Sequence, residues 1–197
     1  MHGWGIESSS FMAETELPLN DTPPHGRRYY WRVRSCYFST LCSPWSRVRY
    51  VDIGRSERDL NGDGIGDLSI GVEEAYGTEP DRGKVFVFYV KEEGIDENPS
   101  LVLSDTLEAE GSNFGIDVSM NGDLNGDGFS DLVVGAESRD GEAQDEGAFI
   151  LYHGSETGVL HDAPIVVQNP DHKTWSRFGS SLASAGDMKG DGFSDLV

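Results

Sequence analysis

From residue 68 to 168 the chain alternates short apolar runs with clusters of glycine, acids and small polar residues. Leu68–Val72, 84–90 and 100–104 read as three strands, and 114–120, Asp131–Ala136, 147–153 and 163–168 as four more. Phe86 and Phe88, like Phe149 and Leu151, recur every second residue, which puts them on one strand face and leads to the expectation that they are core residues. Turn clusters such as Gly154-Ser-Glu-Thr-Gly158 separate the runs, and 25 glycines suit a chain of many tight turns. Nothing from 51 to 197 sustains the 3.6-residue period of an amphipathic helix. The pattern predicts an all-β fold.

The runs also repeat. Asp59-Leu-Asn-Gly-Asp-Gly-Ile-Gly-Asp67, Asp123-Leu-Asn-Gly-Asp-Gly-Phe-Ser-Asp131 and Asp187-Met-Lys-Gly-Asp-Gly-Phe-Ser-Asp195 follow one another at intervals of 64 residues. Phe114-Gly115 and Phe178-Gly179 each stand nine residues before a loop, and 83–89 and 147–153 are again 64 apart. A fixed period of this length marks stacked supersecondary units. Four short strands per unit, with the acidic loop between the first and second, predict a partial β-propeller of four-stranded antiparallel blades. The chain holds about two blades and the start of a third.

The acidic loop has a chemistry of its own. Calcium takes six to eight oxygen ligands in a flexible shell. A tight loop supplies them from side chains at positions 1, 3 and 5, a carbonyl at 7 and a carboxylate at 9. In the first loop these are Asp59, Asn61, Asp63, the Ile65 carbonyl and Asp67; in the second, Asp123, Asn125, Asp127, the Phe129 carbonyl and Asp131. Three carboxylates within nine residues repel one another unless a cation lies between them. The third loop keeps Asp187, Asp191, the Phe193 carbonyl and Asp195 but has Lys189 at position 3. An ammonium has no lone pair to give, so weaker or absent binding is expected there. An EF-hand would need a 12-residue loop closed by Glu between helices, whereas position 12 is Ile70 or Val134 and the flanks are strands. The competing reading is a set of Asx-rich turns without an ion; constant spacing favours the metal, with a structural role.

Charge sharpens this picture. The net charge is -20, yet residues 1–50 hold six Arg and four acids against nine Lys/Arg and 31 acids in 51–197. So acidic a region repels nucleic acid, and bound divalent cations would offset part of its self-repulsion. No apolar run reaches the roughly 18–20 residues of a transmembrane helix.

Phe114-Gly115, the loop 123–131, Gly135-Ala136, Phe178-Gly179 and the loop 187–195 resemble FG-GAP repeats, the blades of the integrin α-subunit propeller and its bacterial secreted relatives. Tyr152-His-Gly-Ser-Glu-Thr-Gly-Val159 is similar to the bacterial type. The resemblance implies a seven-bladed propeller in full-length members, a location outside the cell or on its surface, and calcium in loops on one face. It also implies adhesion or binding of an extracellular protein or glycan on the opposite face, and no enzymatic activity. Accessory propellers of secreted hydrolases or lyases, and purely structural scaffolds, are the alternatives. The first unit departs from the pattern, with Tyr50-Val51 in place of Phe-Gly and Gly71-Val72 in place of Gly-Ala, and the chain has no Arg-Gly-Asp. Its last residues, Asp195-Leu-Val197, break off where the second unit continues Asp131-Leu-Val-Val-Gly-Ala136. A truncated propeller is expected for 50–197, associating through its unclosed blade edges.

Residues 1–49 match nothing in the repeat and are expected to be irregular or poorly ordered. Cys36 and Cys42 lie there, and their spacing leaves a short-loop disulfide and two free thiols both open. No secretory leader pattern is visible at Met1–Asn20, so the Asn20-Asp-Thr22 acceptor triplet carries little weight. The histidines form no ligand-spaced set, and His153 is expected only to end a strand. No GxSxG, GxGxxG or P-loop occurs. Trp175 is expected to pack between blades.

Overall fold

The computed structural model describes residues 27–32, 34, 36, 37, 41–46, 49–53, 58–73, 83–105 and 111–197. Its thirteen strands are β1 (Arg27–Trp31), β2 (Cys36–Tyr37), β3 (Leu41–Cys42), β4 (Arg49–Ile53), β5 (Leu68–Val72), β6 (Lys84–Phe88), β7 (Leu101–Ser104), β8 (Phe114–Gly122), β9 (Asp131–Ala136), β10 (Ala148–Tyr152), β11 (Ile165–Gln168), β12 (Ser184–Gly186) and β13 (Asp195–Leu196). The described residues contain no helix. The fold is all-β, as the apolar spacing predicts.

The second repeat is a complete blade, an antiparallel sheet in the order β11-β10-β9-β8. The first is the sheet β5-β6-β7, and the third begins with the pair β12-β13. Strand bounds agree with the sequence pattern to within one or two residues at most ends. Of the segment 1–49, residues 1–26 lie outside the described residues, and the described part carries strands: β1 pairs with β4 and β2 with β3. Tyr29, Tyr30 and Trp31 are aromatic residues of the kind that favour strands. Cys42 is disulfide-bonded and stands opposite Cys36 in the β2–β3 register.

One apolar core lies between the first and second blades. Val85, Val87 and Leu103 from one side join Phe114, Met120, Leu132, Val134, Ala136, Ile150 and Tyr152 from the other. The same repeat position has a different fate in each unit. Leu132 and Val134 are fully buried, whereas their counterparts Leu68 and Ile70 are 39% and 44% exposed. The second blade is covered on both faces, the first on one.

The Phe-Gly and Gly-Ala pieces meet at the seams. A Cβ on Gly71 would strike the carbonyl of Gly115, and one on Gly135 would strike the carbonyl of Gly179. Each unit's Gly therefore admits the next unit's Phe-Gly backbone, where any side chain would hold the blades apart. Beside the second seam Phe178 N donates to Glu146 O at 3.1 Å, and the Phe149 and Phe178 rings lie 5.7 Å apart. Away from the seams, Arg139 Nε reaches Asp105 Oδ2 at 3.0 Å from one blade to the other, with both side chains almost wholly buried. Burial, with Asp105 nearby, pushes the hydroxyl of Tyr152 up to about 12.

Candidate metal centre

The second acidic loop joins β8 to β9 and the third joins β12 to β13, each as a hairpin tip, while the first leads directly into β5. Positions 4 and 6 are glycine, with φ of 74° and 91° in the first loop and 76° and 108° in the second. Those left-handed turns curl the backbone so that its N–H groups point inward. Asp59 accepts Gly62 N at Oδ1 (2.6 Å) and Gly64 N at Oδ2 (2.9 Å). Asp123 does the same with Gly126 N (2.7 Å) and Gly128 N (3.0 Å). Asn61 Nδ2 donates to Asp63 Oδ2 at 3.1 Å, and Asn125 Nδ2 to Asp127 Oδ2 at 2.8 Å. Position 7 is fixed through its amide: Ile65 N donates to Asp63 Oδ1 at 2.8 Å, and Phe129 N to Asp127 Oδ1 at 2.9 Å.

The closing carboxylates are buried and bind backbone on both oxygens. Asp67 accepts Leu60 N (2.8 Å) and Val90 N (3.0 Å). Asp131 accepts Leu124 N (2.7 Å), Gly154 N (3.1 Å) and the His153 ring at Nδ1 (3.1 Å). His153 thus does more than end a strand. It braces the acid that closes the second loop, a role its place in an apolar run could not signal. Burial, reinforced by the charges of Asp59 and Asp63, pushes Asp67 up to about 6. Burial also raises Asp131, although its hydrogen bonds and His153 pull the other way.

The third loop repeats the backbone pattern with different charges. Asp191 N and Gly192 N donate to Asp187 Oδ1 and Oδ2 at 3.0 and 2.8 Å, Phe193 N to Asp191 Oδ1 at 3.1 Å, and Met188 N to Asp195 Oδ2 at 3.1 Å. Lys189 Nζ lies 2.7 Å from Asp195 Oδ1. That bond holds Asp195 below the usual carboxylate range.

Loops of successive blades touch. Ser130 N donates to Asp59 O at 2.9 Å and Ser194 N to Asp123 O at 2.8 Å. Phe129 covers Gly62 and Phe193 covers Gly126, so that a Cβ on either glycine would meet a ring edge.

Among the described residues no three acidic, imidazole or thiol side chains converge as a ready-made ligand set. Asp59, Asp67, Asp123 and Asp131 turn toward backbone N–H groups, while Asp63 and Asp127 are exposed. The donor chemistry nevertheless fits a hard cation. At the ligand positions the first two loops present carboxylate and amide oxygens, those that accept a single N–H, such as both oxygens of Asp63 and Asp127, retain a lone pair, and hard oxygens suit calcium, magnesium or manganese.

A four-stranded antiparallel sheet packed between a three-stranded one and the first pair of a third, with an acidic loop recurring at each repeat, fits a β-propeller blade repeat. Residues 118–152 match the family model described as FG-GAP repeat, and the chain is an FG-GAP repeat protein. It is 34% identical to integrin alpha-5 of Xenopus laevis over 155 residues, 75% of this chain and 14% of that protein. Integrin alpha-4 of Xenopus laevis is 32% identical over 140 residues, 71% of this chain and 13% of the relative. Phosphatidylinositol-glycan-specific phospholipase D of Rattus norvegicus is 34% identical over 212 aligned residues, 98% of this chain and 24% of the enzyme. The chain thus spans a quarter or less of the length of these relatives.

Sequence reasoning did not find the buried Arg139–Asp105 pair or Glu146. Glu146 is wholly buried and accepts Glu142 N, Ala143 N and the His172 ring at Nδ1 (3.2, 3.3 and 3.2 Å). Its neighbours Glu142 and Asp145 gave it the look of one more solvated acid. Trp175, expected between blades, is 66% exposed.

Proposed function

We propose that this chain is part of a calcium-stabilised propeller that works outside the cell or on its surface, binding a protein or glycan without catalysing a reaction. The first two loops carry the reading. Each gathers three carboxylates with no basic side chain among its nine residues, and one of those acids is pushed up to about 6 by burial and by its acidic neighbours. Asp59, Asn61, Asp63, the Ile65 carbonyl and Asp67 would hold one ion, and Asp123, Asn125, Asp127, the Phe129 carbonyl and Asp131 another. The ion supplies positive charge. The chain's part is to pin the hairpin and the loop of the neighbouring blade that leans on it. Affinity on the order of 10⁻⁴–10⁻³ M is expected for such a module, so the sites would fill outside the cell and stay empty in the cytosol. The disulfide at Cys42 agrees with an oxidising compartment.

Integrin likeness favours adhesion. The phospholipase, which aligns with nearly the whole chain, favours a second reading as the propeller of a secreted hydrolase. A binding screen of the intact protein against matrix proteins and glycans separates the two: a saturable partner supports the first, and silence together with a neighbouring catalytic domain supports the second. Calcium itself is tested by melting. Ion at ten times its Kd should add about 1.4 kcal/mol per site, and EDTA should remove it. Identical melting curves in EDTA and in calcium would exclude the clamp.

A further inference from the structure

We infer, building on the calcium reading of the first two loops, that the third loop carries its own cation: Lys189 takes the ion's place and keeps this hairpin closed at any calcium concentration. Lys189 occupies position 3, where Asn61 and Asn125 stand in the other loops. Its ammonium bonds Asp195 Oδ1 at 2.7 Å. The lysine bonds the closing acid from within the loop.

The exchange is chemically specific. An ammonium brings three donors and no lone pair, so the loop loses one of at least six oxygens that calcium wants. It also brings a positive charge that cancels part of the attraction of Asp187, Asp191 and Asp195 for a divalent ion. The backbone scaffold is kept, with Asp187 still gathering the amides of Asp191 and Gly192. Of the side-chain ligand positions, only position 3 differs from the first two loops.

Its position gives the substitution a use. Ser194 N donates to Asp123 O at 2.8 Å, Asp123 N to Ser194 Oγ at 3.1 Å, and Phe193 rests on Gly126. These contacts reach the opening residue of the second loop. A third hairpin that needs no calcium is a fixed wall against which the second site is shaped before any ion arrives.

Two measurements on the whole chain test this. In calcium titration calorimetry the wild type should take two ions and Lys189→Asn three. Three ions on the wild type, or two on both proteins, overturn the inference. Hydrogen exchange in EDTA is independent of metal: amides of Gly192, Phe193 and Ser194 should exchange roughly two- to fivefold faster in Lys189→Met than in wild type, the factor expected of an exposed pair. Equal rates overturn it. Should the wild type bind no calcium at all, the reading of the first two loops fails, and the exchange rates still decide whether Lys189 closes the third.

Discussion

Asp67 is held between two demands. Leu60 N and Val90 N want an acceptor, while burial and the charges of Asp59 and Asp63 resist ionisation. Its pKa of about 6 in the fold lies above the ordinary 3.8. Between those values the folded chain binds more protons than the unfolded one, so this group's contribution to stability falls as pH rises through that window. In EDTA the melting temperature of wild type minus that of Asp67→Asn should therefore decline from about pH 4 to about pH 6. Millimolar calcium should flatten the decline by supplying countercharge, and a flat difference in EDTA would show that the carboxylate is not strained. A second residue-scale expectation concerns stoichiometry. Asp123→Ala combined with Asp127→Ala should remove one calcium from the titration and leave the first loop's ion in place. An unchanged ion count would mean that these are not the ligands.

Strands and hairpins were legible because their signals are local. Period-two alternation marked Leu68–Val72, a continuous apolar run marked Asp131–Ala136, and the glycines of the acidic loops marked the turns. What stayed hidden was the meeting of faces. Leu68 and Leu132 occupy one repeat position and look alike in sequence, yet only Leu132 is sealed between two sheets. Leu132→Ala should cost about 3 kcal/mol in urea denaturation, as a buried truncation does, and Leu68→Ala about 1 kcal/mol or less. Similar costs for both would mean that the first blade's outer face is covered in solution. Gly135→Ala should destabilise by about 1–3 kcal/mol through overpacking against the Gly179 carbonyl.

At the scale of the molecule, blades are joined by polar as well as apolar contacts, and no motif announces the polar ones. Arg139 and Asp105 are 34 residues apart and belong to different units, so neither charge reveals its partner. Removing one alone leaves a buried charge: Arg139→Met should cost about 3–5 kcal/mol, and Arg139→Met with Asp105→Leu much less. A double-mutant cycle by chemical denaturation reads the coupling directly. His153 and Glu146 escaped notice for the same reason. Their partners are set by how loops at one end of a sheet fold over each other, which a strand pattern does not encode.

The Gly71–Gly115 and Gly135–Gly179 seams are one joint used twice. A segment excised at equivalent points 64 residues apart would leave matching ends, and a duplicated segment would find a ready socket on either side. Such a chain can gain or lose whole blades by duplication or deletion of genetic text, without inventing a new contact each time.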